Sequence, residues 1–305
     1  GLRLLNETIA AVKAAGQTEI TGAAAFKLFD TFGFPIELTT EYAQDEGLTI
    51  DQAGFEAEMA QQKARARNAR SDEQSMGTQN ELLLDIKVAS EFTGYTELIT
   101  DSKLAVIIQD NAKQTMISEG QAQLIFDQTP FYAEMGGQVA DQGIVKNLAG
   151  QVVAKVTDVQ YAPNGQPLHT VTVLDEMLSG VHYTLVVDPT FRGGVIKNHT
   201  ATHLLDQALR DVLGEHTHQA GSLVEPDYLR FDFTNLGQVT TEQLAEVEQI
   251  VNDQIWAALP VNTVETDIES AKAMGAIALF TEKYGKTVRV VKIGDYSMAL
   301  CGGTH

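Results

Sequence analysis

The sequence predicts an α+β protein in three parts, and three observations lead to that prediction. Apolar residues recur at helical spacing over residues 1–80, which end in a polar stretch typical of a linker. Short alternating or β-branched runs separated by turn residues fill residues 81–190, as in a small β-barrel. Helical and strand patterns are mixed over residues 191–305, which indicates an α+β core. A chain of 305 residues has room for about two or three such domains.

The composition excludes several classes of protein. There are 41 acidic and 21 basic residues, for a net charge of −20, and acidic residues are in excess throughout the chain. This balance argues against strong non-specific binding of nucleic acid. The apolar runs fall short of the roughly 18 residues that a membrane span needs, so no membrane partner is expected. The single cysteine excludes an internal disulfide framework and favours a reducing, cytoplasmic setting.

The first part is predicted to be helical. Apolar residues from Leu4 to Val12 indicate a helix that ends near Gly16. The next predicted helices cover 23–29, a stretch capped by Thr39 or Thr40 that ends at Gly47, and a long segment from Asp51 to about Arg70.

Four cations without an acidic neighbour lie at the end of that last predicted helix: Lys63, Arg65, Arg67 and Arg70. They either compensate the negative end of the helix dipole or form a local patch for phosphate groups. The sequence leaves both interpretations open.

The second part contains six short runs that read as strands, separated by turn residues such as Gly150, Gly165 and Gly180. These predicted strands are 104–109, 123–126, 143–146, 152–159, 169–174 and 182–187.

The third part begins with a predicted helix over 195–213 that ends at Gly214. The later predicted elements are strands around a turn at Pro226 within 223–233, a helix over 241–259, a short helix over 270–278, and strands over 288–293 and 296–300. The inward face of helix 241–259 is predicted to carry Leu244, Val247, Ile250, Val251 and Ile255.

Two histidines in the first of these helices are spaced for a shared ligand. His199 and His203 are four residues apart, so their side chains project from one helix face and one metal ion could take both. Zinc proteases with this spacing carry a glutamate directly after the first histidine, where this chain has Thr200. Helix geometry puts Thr200 and Thr202 about equally close to the pair. The pair taken alone is also compatible with a structural role.

The end of the sequence holds the only cysteine. Cys301 and His305 are separated by two glycines and a threonine, and the glycines would let both side chains turn inward. A lone cysteine is more often a small buried apolar residue. With His199 and His203, however, the set offers three nitrogens and one sulfur, which suits tetrahedral zinc.

Two further polar segments are candidate parts of a site. Residues 216–222 contain Gln219, Gly221 and Ser222, which would allow a ligand to approach closely and form hydrogen bonds; His216 and His218 are alternative metal ligands, and the other interpretation is a surface loop. Residues 130–138 form a glycine-containing segment among strands, without the Gly-Lys-Ser/Thr of a phosphate-binding loop, and the simplest interpretation is a tight turn.

These motifs together resemble the editing region of the alanyl-tRNA synthetase family, over nearly the whole chain. The resemblance is carried by residues 131–138, 199–203, 219–222 and 301–305. These motifs follow one another along the chain in the same order as in the family. Free-standing alanyl-tRNA editing proteins and the threonyl-tRNA synthetase editing domain are similar in these motifs. Residues 25–35, Gly54-Phe55 and 63–67 resemble the segment of the full synthetase that precedes its editing region, which free-standing editors generally lack.

The resemblance assigns roles to individual residues. It implies that one zinc ion is bound by His199, His203, Cys301 and His305. It implies a catalytic part for Gln219 and Thr202, and contacts to the substrate from Thr200, Gly136, Gly137, Gly221 and Ser222. Met135 departs from the small residue expected at its position.

The resemblance also implies an activity and its partners. The expected reaction is hydrolysis of the ester that joins serine or glycine, wrongly attached, to the acceptor end of tRNA(Ala). Ligation of alanine, with ATP and magnesium, would belong to a domain before residue 1, and another domain would follow His305. The alternatives are a non-catalytic zinc-stabilised module that docks the tRNA acceptor end, and a free-standing deacylase.

Overall fold

A computed structural model of the chain describes residues 2–32, 35–59, 82–278 and 287–305. Internal contacts divide the chain into two compact units, 1–77 and 78–305. None of the helices in these ranges combines the length and the apolar character needed to cross a membrane. The four cations from Lys63 to Arg70 lie outside the described residues.

The first unit contains four helices and two short strands among its described residues. They are α1 (Leu2–Ala14), β1 (Glu19–Ile20), α2 (Gly22–Phe32), α3 (Ile36–Asp45), β2 (Thr49–Ile50) and α4 (52–59). Their core includes Leu5, Ile20, Leu28 and Phe55. β1 and β2 pair in parallel. The predicted helical character of this unit is confirmed where the chain is described.

The start of α3 differs from the prediction. Thr39 and Thr40 do not cap it: each lies inside the helix, and their hydroxyls donate to the carbonyls of Pro35 (3.1 Å) and Ile36 (2.9 Å). Threonine side chains inside helices commonly bond to the carbonyl four residues back, which makes a cap and an interior position look alike in sequence.

The second unit begins with α5 (82–85) and a closed barrel. The strands of the barrel and of the segments between them are β3 (Glu91–Phe92), β4 (Ile99–Gln109), β5 (Ala112–Gln114), β6 (Met116–Ile117), β7 (Gly120–Phe126), β8 (Gln128–Thr129), β9 (Gly143–Lys146), β10 (Val152–Tyr161), β11 (Pro167–Val173), β12 (Met177–Leu178) and β13 (His182–Val187).

Six antiparallel strands close the barrel in the order β13-β9-β10-β11-β7-β4, and β4 pairs back with β13. These six strands are the six predicted from sequence, with β9 and β13 matching at both ends. The interior is filled by apolar side chains at alternating positions, among them Leu104, Leu124, Phe126, Val171 and Leu185. The predicted small barrel is therefore confirmed.

The rest of the second unit mixes helices and strands, which confirms the α+β class. Its elements are α6 (Pro189–Leu213), β14 (His218–Val224), β15 (Leu229–Thr234), α7 (Thr241–Trp256), β16 (Val261–Asp267), α8 (Ile268–Ala273), β17 (Ile277–Ala278), β18 (Thr287–Ile293) and β19 (Ser297–Leu300). β14 and β15 form a hairpin, and the other four strands form a sheet in the order β16-β18-β19-β17.

The structure of this region differs from the sequence analysis in three details. The mixed-polarity strand β16 was missed, because its residues are almost all exposed and lack an apolar repeat. The predicted helix over 270–278 ends at Ala273 and gives way to β17. On α7, Val247 is buried but Leu244 and Ile255 are each 52% exposed, because the packing with α6 covers only a narrow stripe.

Candidate metal centre and active site

Helix α6 carries the histidine pair, and its start is fixed by a cap. Asp188 accepts hydrogen bonds from the backbone N–H groups of Thr190 (2.8 Å) and Phe191 (3.1 Å), and Pro189 occupies the first turn. The helix thus begins six residues before its predicted start at residue 195.

The two histidines lie on one buried face of α6, as the spacing predicts. The rings of His199 and His203 are stacked, with centroids 5.3 Å apart and planes 8° apart. Both side chains are buried, at 6% and 3% exposure. The helix therefore presents two imidazoles side by side.

The segment after β19 brings the other two candidate ligands to the same place. The Cys301 sulfur lies 3.4 Å from Nε2 of His199 and 3.4 Å from Nε2 of His305. A donor atom from each of His199, His203, Cys301 and His305 lies within 4.8 Å of the others. Gly303 permits this approach, since a Cβ there would be 2.0 Å from Cε1 of His199.

Two observations indicate that the cluster suits a zinc ion. Nε2 of His203 is buried and has no hydrogen-bond partner in the described structure, which is unusual for a buried polar atom unless it binds an ion. A tetrahedral zinc with bonds of about 2.3 Å to sulfur and about 2.0–2.1 Å to nitrogen holds those atoms about 3.5 Å apart, close to the distances from Cys301.

Burial keeps the three imidazoles neutral, as metal ligands must be. Desolvation, reinforced by the neighbouring His203 and Arg289, lowers the pKa of His199 to about 3. Desolvation also lowers the pKa of His203 to about 4 and that of His305 well below its usual value. The imidazole nitrogens can therefore offer lone pairs at neutral pH.

The glycine-containing segment from the barrel forms a tight turn, as the simpler interpretation predicts. Met135 and Gln138 pair across Gly136 and Gly137, whose φ angles are +62° and +87°. A Cβ on Gly137 would lie 2.4 Å from the Ser222 hydroxyl, so glycine is needed for this contact. The turn therefore packs directly against β14.

Residues 218–222 belong to strand β14 and not to a surface loop. Gln219 donates to the Ser222 hydroxyl (2.9 Å), and an irregularity in the pairing with β15 lies between Gln219 and Gly221. A bulge of this kind turns side chains away from the regular alternation. The backbone N–H of Val224 donates to the carbonyl of Gly137 (2.7 Å), and this hydrogen bond joins β14 to the glycine turn.

His216 and His218 lie away from the metal cluster. His216 contacts Asn235 (3.1 Å) on the exposed side of the hairpin, and His218 is exposed. The only described group of side chains positioned to share a metal is the one that includes His199. The structure therefore does not bring these two histidines to the candidate metal centre.

The two threonines beside the histidines have different surroundings. The Thr200 hydroxyl lies 3.2 Å from Nδ1 of His305, so it contacts a candidate ligand. The Thr202 hydroxyl is buried and donates to the carbonyl of Asn198 (2.8 Å). Asn198 in turn donates to the turn after β14, at Glu225 (2.7 Å).

Sequence reasoning missed the residues that hold α6 against the barrel. Arg192, in the first turns of α6, forms a buried ion pair with Asp141 and donates to the carbonyls of Gly94 (2.7 Å) and Pro130 (2.9 Å). Asp141 also accepts from the backbone N–H of Tyr132 (2.7 Å). These partners are far apart in sequence, so no local pattern indicates them.

The Cys301–His305 segment is held in a similar way. Arg289 donates to the carbonyls of Cys301 (3.1 Å) and Gly303 (2.8 Å), and its guanidinium lies 4.2 Å from the ring centre of Tyr95. Tyr95, from the barrel side, donates to the carbonyl of Gly302 (2.7 Å). The position of both C-terminal ligands thus depends on residues of the barrel and of β18.

Comparison with known proteins gives the family. Residues 1–190 match the family described as class II (A) tRNA synthetases. The alanine–tRNA ligase of Latilactobacillus sakei is 85% identical over 305 residues, and those of Ligilactobacillus salivarius and Enterococcus faecalis are each 63% identical over 306 and 305 residues. Each alignment covers 100% of this chain and 35% of the relative, so the chain spans about a third of their length. Because the family match over residues 1–190 covers more than half of its length, the chain belongs to the family of class II (A) tRNA synthetases.

Proposed function

We propose that the second unit of this chain is an editing deacylase, which hydrolyses the ester between tRNA(Ala) and a wrongly attached serine or glycine. One observation supports the proposal: a chain of direct contacts links the four-donor cluster to the glycine turn and to Gln219. His199 contacts Gln138, the glycine turn contacts Ser222, and Ser222 accepts from Gln219. A possible metal site and a polar side chain thus share one connected site.

Zinc is the metal that best suits this donor set. His199, His203, Cys301 and His305 would hold it, since one thiolate and three imidazoles favour tetrahedral zinc. Bound there, zinc would supply positive charge that orders the substrate. Four protein ligands complete a tetrahedron, so we assign the ion a positioning role and give the chemistry to the surrounding side chains.

The reaction is a simple ester hydrolysis. Water attacks the carbonyl carbon, the bond to the ribose oxygen breaks, and that oxygen takes up a proton, so that free amino acid and uncharged tRNA are released. The Gln219 amide, oriented by Ser222, would direct the water or donate to the negative oxygen that develops on the carbonyl.

A separate editing site answers a problem of selectivity. A pocket built for alanine cannot strongly exclude an amino acid that is larger only by one hydroxyl. A second site that forms a hydrogen bond with that hydroxyl can select serine for hydrolysis. Thr202 is the residue we assign to this contact, and Gly136, Gly137 and Gly221 would lie beside the bound ester.

The name of the longer relatives describes ligation of alanine to tRNA. We propose that this reaction, with ATP and magnesium, belongs to the part of those proteins that this chain does not span. The acceptor end of tRNA(Ala) is the proposed partner shared by both reactions.

The direct test is hydrolysis of serine-charged tRNA(Ala) by this chain with its zinc content known. Replacing Gln219 by leucine should lower the rate about 100-fold, which is the usual effect of losing one donor to a developing oxyanion. Gln249→Leu, the same change at an exposed position of α7, should leave the rate unchanged.

Two results would contradict the proposal. Equal rates for wild type and Gln219→Leu would remove Gln219 from the reaction. No hydrolysis by zinc-loaded wild type would favour the non-catalytic docking module, whose independent binding of tRNA the net charge of −20 opposes.

A further inference from the structure

Gln138 is a fully buried glutamine that contacts both halves of the candidate metal centre. It follows the glycine turn of the barrel and is 0% exposed. Its Oε1 lies 2.7 Å from Nδ1 of His199 and 3.0 Å from the backbone nitrogen of Thr304. Its Nε2 lies 2.9 Å from the Thr304 hydroxyl. One amide thus joins a ligand on α6 to the segment that carries the other two ligands.

The backbone of Thr304 fixes the orientation of this amide. A backbone N–H can only donate, so the atom facing it must be the carbonyl oxygen Oε1 of Gln138. The same oxygen faces Nδ1 of His199, and an oxygen without a hydrogen can only accept. Nδ1 must therefore carry the proton.

The tautomer of His199 follows from this arrangement. A metal-binding imidazole is neutral and therefore has one proton. With the proton on Nδ1, Nε2 has its lone pair free, and Nε2 is the nitrogen that faces the Cys301 sulfur at 3.4 Å. His305 differs, because its Nδ1 faces the Thr200 hydroxyl, which can donate or accept and so fixes no tautomer.

We infer that Gln138 is the positioning residue of the metal centre: it holds His199 in the tautomer and orientation that bind the ion, and it holds the Cys301–His305 segment in place. The inference rests on the metal site of the proposed function. Partners of metal-bound histidines commonly fix the tautomer, and losing one weakens metal binding about 10–100-fold.

The test compares zinc affinity in three variants. Gln138→Leu keeps the size of the side chain but removes the acceptor, and it should weaken zinc binding about 10–100-fold. Gln138→Glu keeps an oxygen facing both donors and should stay within a few-fold of wild type. Gln142→Leu, the same change at a nearby exposed position, should have no effect. Dissociation constants come from competition with a chelator, and the melting temperature of each metal-free variant shows that it is folded.

A second measurement does not depend on any variant. The ¹⁵N chemical shifts of His199 in the metal-free wild type should show a proton on Nδ1. A proton on Nε2 would overturn the inference even if Gln138→Leu fails to fold.

The outcomes separate this inference from the proposed function. If wild type binds zinc and Gln138→Leu binds it equally well, Gln138 has no positioning role and the metal site stands. If folded Gln138→Glu binds as weakly as Gln138→Leu, the acceptor is not what matters and the inference fails. If wild type does not bind zinc, both the metal site and the role of Gln138 are wrong.

Discussion

The barrel interior and the metal cluster each contain buried neutral histidines, but the two regions differ in what the ring nitrogens contact. In the barrel, His169 is bonded at both nitrogens, to the Thr129 hydroxyl (2.8 Å) and to the carbonyl of Leu124 (3.1 Å). In the cluster, Nε2 of His203 is equally buried and has no partner among the described residues. Desolvation lowers the pKa of both residues to about 4.

The difference shows that burial and a lowered pKa do not by themselves identify a functional histidine. Both properties follow from desolvation, which acts on any buried imidazole. The distinguishing property is an unsatisfied nitrogen beside other donors, because a buried polar atom without a partner is costly unless something binds it. His169 therefore has a structural role, and His203 is a candidate ligand.

The largest effect is expected from replacing the unsatisfied histidine. His203→Asn removes a direct ligand, so zinc binding should weaken more than about 100-fold, beyond the effect of losing a mere partner of a ligand. His216→Ala, a histidine outside the cluster, should bind zinc as wild type does. The measurements are zinc dissociation constants and the visible spectrum of the cobalt-loaded protein, which reports tetrahedral coordination with sulfur. If His203→Asn binds zinc as tightly as wild type does, His203 is not a ligand and its role does not differ from that of His169.

A smaller effect is expected from His169, whose two ring nitrogens are both hydrogen-bonded. It concerns the way the stability of the protein depends on pH. The folded state holds the pKa of His169 at about 4, whereas an unfolded histidine has a pKa near 6.5. As the pH falls below about 6.5, the unfolded chain takes up the proton first, so stability falls until the pH reaches about 4. Between pH 7.5 and pH 5 this residue should cost about 2 kcal/mol.

The check is the variant His169→Gln, which removes the titrating group. Protection of β7 and β11 amides from hydrogen exchange, corrected for the intrinsic rate at each pH, reports the stability of the barrel. The loss of stability on acidification should be about 2 kcal/mol smaller in the variant, and its zinc affinity at pH 7.5 should equal that of wild type. An unchanged pH dependence would mean that His169 does not stay neutral in the folded barrel.

The two regions also differ in how far the sequence predicts them. The six barrel strands follow from alternation between neighbouring residues, a local property, and all six were predicted. The candidate ligands were predicted in part from local spacing, since His199 and His203 are one helical turn apart. Cys301 and His305 were added to the predicted ligand set because their donor atoms suit zinc and because the motifs resemble those of a known family.

The supporting residues could not be predicted from sequence alone. Gln138 contacts Thr304 across 166 positions, and Arg192 contacts Gly94 across 98. Such contacts arise when the barrel and α6 pack together, and no local pattern encodes them. The first part of β14, residues 218–222, was also not predicted as strand, because this polar stretch shows no apolar alternation.

The smallest effect is expected from replacing Thr202, which shares one property with each of the two regions. Thr202 lies on the ligand helix, but its hydroxyl already donates to the Asn198 carbonyl, so it is satisfied in the way His169 is. Its oxygen can still accept a hydrogen bond from the hydroxyl of a serine ester. Thr202→Val, nearly the same size, should therefore reduce the preference for serine over alanine esters about tenfold, the worth of one ordinary hydrogen bond. Thr202→Ser keeps the hydroxyl and should keep the preference. Comparing deacylation rates on the two charged tRNAs decides between the roles: a preference unchanged by valine would make Thr202 purely structural, and would leave the glycine turn and β14 as the remaining candidates for reading the substrate's side chain.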